Sequence, residues 1–304
     1  MTSPTHDQVL LDGGIFRMGS DEFYPDEQPV HDRAVAAFRI DRYAVTNAQY
    51  AAFVDDTGYV TVAERELDPA NFPGADVTSL SPGAMVFTPT PGPVDLRDWR
   101  NWWRWEAGAC WRRPFGPESS VDDRLRHPVV HIAFEDAAAY AEWAGLRLPT
   151  EAEHEYAARG GLDGRRFAWG DEPYPEGVAQ ANSWLGRFPH DNQGVGDAAP
   201  VGSYPPNGYG LYDMTGNVWE WTTDYYTPRH LRLSDKPVDA GKRANLLAAA
   251  SAQEGFPSIP RRVLKGGSHL CSPEYCLRFR PAARSPQAED TGMSHIGFRC
   301  ASDA

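Results

Sequence analysis

Two cysteines separated by four residues, Cys271 and Cys276, lie in the segment KGGSHLCSPEYCLRFR, where Ser268, His269 and Tyr275 set polar groups beside the thiols. The spacing is not the Cys-x-x-Cys of a dithiol redox motif, and with four cysteines in the chain no second pair completes a zinc site. Two thiolates without obvious partners suit copper(I), a soft ion that accepts two sulfur ligands. From spacing alone a copper site, a disulfide or redox pair and a purely structural pair all stay open. Cys110 and Cys300 have no such surroundings and read as small buried hydrophobes.

A second candidate centre is the run from Asp213 to Glu220. Two carboxylates bracket a turn in which Met214, Gly216 and Val218 could offer carbonyls, the oxygen set that calcium takes. The alternative is that Asp213 and Glu220 cap turns or pair with arginines. His127, His131 and Glu135 stand at four-residue intervals, as helical metal ligands would. Pro128-Val129-Val130 and Ile132 argue for a strand instead, which sets the two imidazoles about 13 Å apart, too far for one ion.

Three helices are expected around these residues. Thr46 caps one that runs through Tyr50 and Phe53 to Thr57-Gly58; a second spans roughly Glu135 to Ala144 and stops at Gly145. The third starts at Thr150, with Glu153 completing a capping box, and ends at Gly160-Gly161. Residues 68 to 117 carry Trp99, Trp102, Trp103, Trp105 and Trp111 with no sustained period and read as a long ordered loop packed by its indoles. Residues 167 to 225, dense in Gly, Asn, Pro and aromatics, fit short strands and turns, and 229 to 261 read as an inserted loop or short helix. No internal repeat appears, and the motifs run from residue 13 to residue 300, so a single domain over 1–304 is expected.

Composition bounds the function. At 41% hydrophobic and 23% charged, with no apolar run near 18 residues, the chain is neither membrane-spanning nor disordered. Its 28 glycines, 26 prolines and 10 tryptophans favour loops pinned by aromatic anchors over a helical bundle. The net charge of -13 repels phosphate backbones and anionic lipid, so neither nucleic acid nor membrane is an expected partner. The N-terminal MTSPTHDQVLLDGG has no basic region followed by an apolar one, which makes the cytoplasm, with reduced thiols, the expected location.

The motifs GGIFRMGS (13–20), RYAVTNAQYAAFV (42–54), HPVVHIAFEDAAAYAEWAGLRLPTEAEHEYAARGG (127–161), NGYGLYDMTGNVWEW (207–221), the Cys271/Cys276 segment and HIGFRC (295–300) together resemble the formylglycine-generating enzymes. The resemblance spans nearly the whole chain except 229–261. It implies a single α+β domain of low regular secondary structure with a C-type-lectin-like fold. The activity it implies is oxidation of a cysteine in a Cys-x-Pro-x-Arg segment of sulfatases to formylglycine by O2.

By the same resemblance Cys271 and Cys276 would hold copper(I), Ser268 would stand near the oxygen pocket and Trp219 beside it. Asp213, Met214, Gly216, Val218 and Glu220 would bind one Ca2+. Asn182 and Ser183 match the start of a second calcium site found in some members, although the loop between Pro189 and Pro200 that must supply its acid looks short. Ala141, Ala158 and Pro281 replace disulfide cysteines of secreted relatives, which leaves Cys300 unpaired. His154 stands where tryptophan is usual and His295 where some members have Asn. Trp99 to Trp111, with Asp95, Asp98 and Glu106, are the expected partners of the substrate proline and arginine. Two other readings are an iron sulfoxide synthase, whose helical His-x3-His-x-Glu set this chain lacks, and a lectin-like binding module with inert cysteines.

Overall fold

Local sequence fixes the helices. Thr46 and Gln49 form a reciprocal capping box at the start of α1 (Asn47–Thr57), and Gly58 ends the helix in the left-handed region. Thr150 and Glu153 do the same for α3 (Glu151–Arg159), which Gly160 closes. The second helix, α2 (Phe134–Trp143), starts one residue earlier than expected because the Asp136 carboxylate accepts the Ala133 N–H at 2.9 Å. The computed structural model describes residues 6–67, 69, 80–231, 240–252 and 259–304.

The strands are short and dispersed, as a Gly- and Pro-rich chain requires. β1 (Gln8–Leu11), β4 (Phe38–Asp41) and β11 (Ala301–Asp303) make an antiparallel sheet that ties the two ends of the chain together. β2 (Gly14–Met18) and β3 (His31–Val35) form a hairpin-like pair. A mixed sheet in the order β10 (Ile296–Gly297), β7 (Trp219–Tyr225), β8 (Arg261–Lys265) and β9 (Arg284–Ala288) lies at the centre and carries the site. Tyr50, Phe53, Tyr140, Trp111, Trp221 and Phe298 pack α1 and α2 against this sheet in the largest apolar cluster, which also contains Trp219 and Cys271. The chain is thus a mixed helix-and-sheet domain with few helices, as expected.

The 68–117 region departs from expectation. It contains an antiparallel pair, β5 (Gly83–Phe87) with β6 (Trp103–Ala107), instead of loop throughout. The alternation of Trp103-Arg104-Trp105-Glu106 is a period-two strand signal that the crowd of tryptophans obscured. Residues 68 and 70–79 of that stretch lie outside the described residues. Within 229–261 a helix, α4 (Ala240–Ser251), is present, while 232–239 and 253–258 are outside the described residues. His127 to His131 is extended without forming a regular strand: Pro128 bridges Thr46, and His131 takes a φ of +60°.

Candidate active site

Strand β8 delivers the cysteine loop. Its last residue, Lys265, is in register with Glu220 of β7, and the chain then turns through Gly266-Gly267. Gly267 has φ +73°, and a Cβ there would lie 2.6 Å from the Arg278 carbonyl oxygen, so only glycine lets the two limbs of the loop approach. Beyond it, the Cys271 N–H donates to the Ser268 carbonyl at 2.9 Å and the Cys276 N–H to the Ser272 carbonyl at 2.7 Å. These turns bring the sulfurs of Cys271 and Cys276 to 3.7 Å. A disulfide would require about 2.0 Å, so both are free thiols.

Cys271 is buried and Cys276 half-buried, so access to the pair is from the Cys276 side. The hydrogen bond with Cys271 holds the Cys276 thiol below its ordinary range, with Arg278 and Arg280 acting in the same sense. Burial pushes Cys271 well up. Cys276 therefore ionises first and shares the Cys271 proton. A metal–thiolate bond of about 2.3 Å lets one ion span sulfurs up to ~4.6 Å apart, so the pair fits a single soft ion. Among the described residues no group of three His, Cys, Asp or Glu side chains converges on a metal position. That holds for His127, His131 and Glu135 as well; His131 is buried, with Nε2 2.8 Å from the Pro114 carbonyl.

Aromatic rings surround the thiols. Tyr275, between the cysteines, stacks on Phe188 with ring centroids 4.5 Å apart and meets Trp102 edge-on at 5.4 Å. Trp103 meets the His295 ring edge-on at 4.8 Å. Trp219 opens β7, is buried, and pairs in parallel with Ile296 while its N–H donates to the His295 carbonyl at 2.9 Å. The Ser268 N–H points to the Cys271 sulfur at 3.4 Å, and its Oγ lies 3.3 Å from both the Leu270 N–H nitrogen and His295 Nδ1. Burial, together with His269 and His131, keeps His295 well below its usual pKa and therefore neutral.

The Asp213–Glu220 turn is tied to the cysteine segment by the Gly216 N–H on the Gly266 carbonyl and the His269 N–H on the Asn217 carbonyl, both at 2.9 Å. Asp213 and Asn217 adopt φ of +53° and +59°. The Asp213 carboxylate accepts the Gly202 N–H at 2.8 Å, makes no salt bridge among the described residues, and is raised by burial to about 6. A buried acid of this kind suits a cation. Glu220 is already served: Arg299 donates to its two oxygens at 2.6 and 2.8 Å, and His154 Nε2 lies 2.9 Å from one of them. It can join an ion at Asp213 only by sharing an oxygen. Asn182 donates to the Asp197 carbonyl at 2.8 Å and to Asn217 Oδ1 at 3.0 Å, with Ser183 beside it, while the Asp197 carboxylate pairs with Arg124.

The tryptophans divide. Trp102 and Trp103 reach the site, Trp111 is in the core, and Trp99 and Trp105 are exposed. Asp95, Asp98 and Glu106 each pair with an arginine two residues away, Arg97, Arg100 and Arg104. Sequence reasoning missed Tyr24, whose hydroxyl accepts the Leu277 N–H at 3.0 Å next to Cys276, and Arg299, the partner of Glu220. Phe188 was missed as well.

The family model described as the sulfatase-modifying factor enzyme 1-like domain matches residues 1–304. The formylglycine-generating enzyme of Mycobacterium tuberculosis is 58% identical over 97% of this chain and 97% of its own length. That of Streptomyces coelicolor is 47% identical over 99% of this chain and 90% of its own. The solved structure of PvdO from Pseudomonas aeruginosa superposes with a TM-score of 0.62 at 26% identity, covering 98% of this chain and 94% of the other.

Proposed function

The chain belongs to the sulfatase-modifying factor enzyme 1-like family, and on that premise we propose how it acts as a formylglycine-generating oxidoreductase: at Cys271 and Cys276, with copper(I) and O2. It converts a sulfatase cysteine to formylglycine. In that conversion a Cβ–S and a Cβ–H bond give way to a carbonyl. With water as the oxygen source and sulfide as the leaving group, the carbon releases two electrons and two protons, and O2 is the proposed electron acceptor.

Copper(I) bound by the two thiolates would supply a soft centre for the substrate sulfur and a source of single electrons for O2. The protein's own groups do the rest. Cys276, already inclined to ionise, offers the first thiolate, and Cys271 follows when its proton is displaced. Tyr275, Phe188 and Trp102 form an aromatic cluster beside the half-buried Cys276, and Trp219 shares the apolar cluster that buries Cys271, so water is kept from the Cys271 sulfur. Ser268 directs its backbone N–H at the Cys271 sulfur, and its hydroxyl lies between His295 Nδ1 and the Leu270 N–H. The 3.7 Å approach of two free thiols carries this reading. Titration with copper(I) tests it: one ion per chain, lost in Cys271→Ser and in Cys276→Ser, is expected. A lectin-like module or an iron enzyme would bind none there, and that result would overturn the assignment.

One Ca2+ belongs to the same proposal, held by Asp213, the carbonyls of Met214, Gly216 and Val218, and an oxygen of Glu220 shared with Arg299. The buried Asp213 carboxyl, which has no salt bridge among the described residues, supports it. At Asn182 and Ser183 the neighbouring acid is spent on Arg124, so no second ion is proposed. The substrate segment is taken to be Cys-x-Pro-x-Arg, with the exposed Tyr275 face and Trp103 available to its proline. Its arginine would compete with Arg97 or Arg100 for Asp95 or Asp98. A cytoplasmic location is supported by four unpaired thiols; among the described residues no helix is long and apolar enough to cross a membrane.

A further inference from the structure

We infer that His295 is a positioning residue that donates its Nδ1–H to Ser268 Oγ and so leaves the serine hydroxyl hydrogen free to donate to a third group. The inference rests on the site reading above for its function, and on geometry for the hydrogen bond. Ser268 Oγ carries one hydrogen and two acceptor positions. The Leu270 N–H takes one of those positions at 3.3 Å, and His295 Nδ1 stands 3.3 Å away at another. Were Nδ1 the acceptor, the serine hydrogen would point into the imidazole and nothing would remain to donate to a third group. With Nδ1–H as donor, both acceptor positions are filled and the O–H is oriented by exclusion.

Three features hold the imidazole in place. Its backbone carbonyl accepts the Trp219 N–H at 2.9 Å, and the next residue, Ile296, pairs with Trp219 in the sheet. The edge of Trp103 packs against its ring at 4.8 Å. His295 is thus held by the backbone of Trp219 on one side and the indole of Trp103, at the start of β6, on the other. An asparagine at this position would share with an Nδ1–H imidazole the one property the proposal needs, an N–H donor.

The tautomer is read directly by 15N NMR of the metal-free protein labelled at its imidazoles. His295 Nδ1 should appear as a protonated, pyrrole-type nitrogen and should shift in Ser268→Ala; a pyridine-type Nδ1 overturns the proposal. Kinetics of the copper-loaded protein give the second arm. His295→Leu should lower kcat about a hundredfold, the scale of one lost oriented donor, with the peptide KM unchanged. The Ser268→Ala/His295→Leu double variant should be no slower than Ser268→Ala, and His295→Asn should stay within a few-fold of the parent. Losses that multiply, or an Asn variant as slow as Leu, overturn it. Copper(I) titration of the same variants should still give one ion. A parent protein that binds none overturns the site reading instead, and the NMR arm then still decides the hydrogen bond.

Discussion

Cys110 and Cys300 sit in packed surroundings, and among the described residues neither joins the sulfur pair in a three-ligand group. Cys110 lies among Ala63, Ala84, Val86 and Ala109, and Cys300 lies in the main core with its N–H on Asp41 at 3.0 Å. Cys110→Ala and Cys300→Ala should each cost about 1 kcal/mol of stability and keep copper binding and turnover. Loss of copper in Cys300→Ala would mean that a third thiol takes part. For calcium the expected observable is the melting temperature. Binding to the native state alone adds about 2.7 kcal/mol at a hundredfold excess over Kd, so chelation should lower the melting point, and Asp213→Ala should remove the response. A parent protein indifferent to chelator would dispose of the ion. The thiol pair and the acidic turn were visible in the sequence because their residues are close along the chain. Arg299 was not, since a charge pair spanning 79 positions leaves no local pattern.

The link between α3 and β8 is a buried ion cluster. Lys265, wholly buried at the end of β8, contacts Glu155 at 2.9 Å, and Glu155 also receives Arg159 at 2.7 Å and the Gly19 N–H at 2.8 Å. Removing Lys265 takes from the buried Glu155 one of its two cationic partners, so Lys265→Met should cost about 3 kcal/mol in denaturant unfolding and loosen the loop that follows it. Burial alone would raise Glu155, but Lys265 and Arg159 outweigh it and hold its pKa below the ordinary 4.5. The folded state then binds fewer protons than the unfolded one, so this stabilisation is complete above the glutamate range and is lost as pH falls below it. Glu155→Gln should flatten the acid limb of the stability profile; an unchanged slope would show that other carboxylates set it. Helices with their own caps, at Thr46 and Thr150, were legible for the same local reason as the cysteine pair. The β5/β6 pairing was missed because its register depends on a partner strand, and Trp103 and Trp105 resembled loop anchors as much as strand residues.

At the scale of the whole molecule, the central mixed sheet gathers four segments, Trp219 to Tyr225, Arg261 to Lys265, Arg284 to Ala288 and Ile296 to Gly297, and its strand β8 leads into the thiol pair. Trp102 and Trp103, at the start of β6, meet Tyr275 and His295 beside it. A groove built this way should bind peptide without itself performing the oxidation. Replacing Pro or Arg in a Cys-x-Pro-x-Arg peptide should therefore raise KM and leave kcat nearly unchanged; equal kcat/KM for all three peptides would mean that only the thiol is read. The most direct test of the account is aerobic incubation of copper(I)-loaded protein with the unmodified peptide, followed by mass spectrometry. The account predicts an aldehyde at the peptide cysteine, formed by the parent protein and by neither Cys271→Ser nor Cys276→Ser. No aldehyde from the loaded parent, or the same yield from either variant, would contradict it.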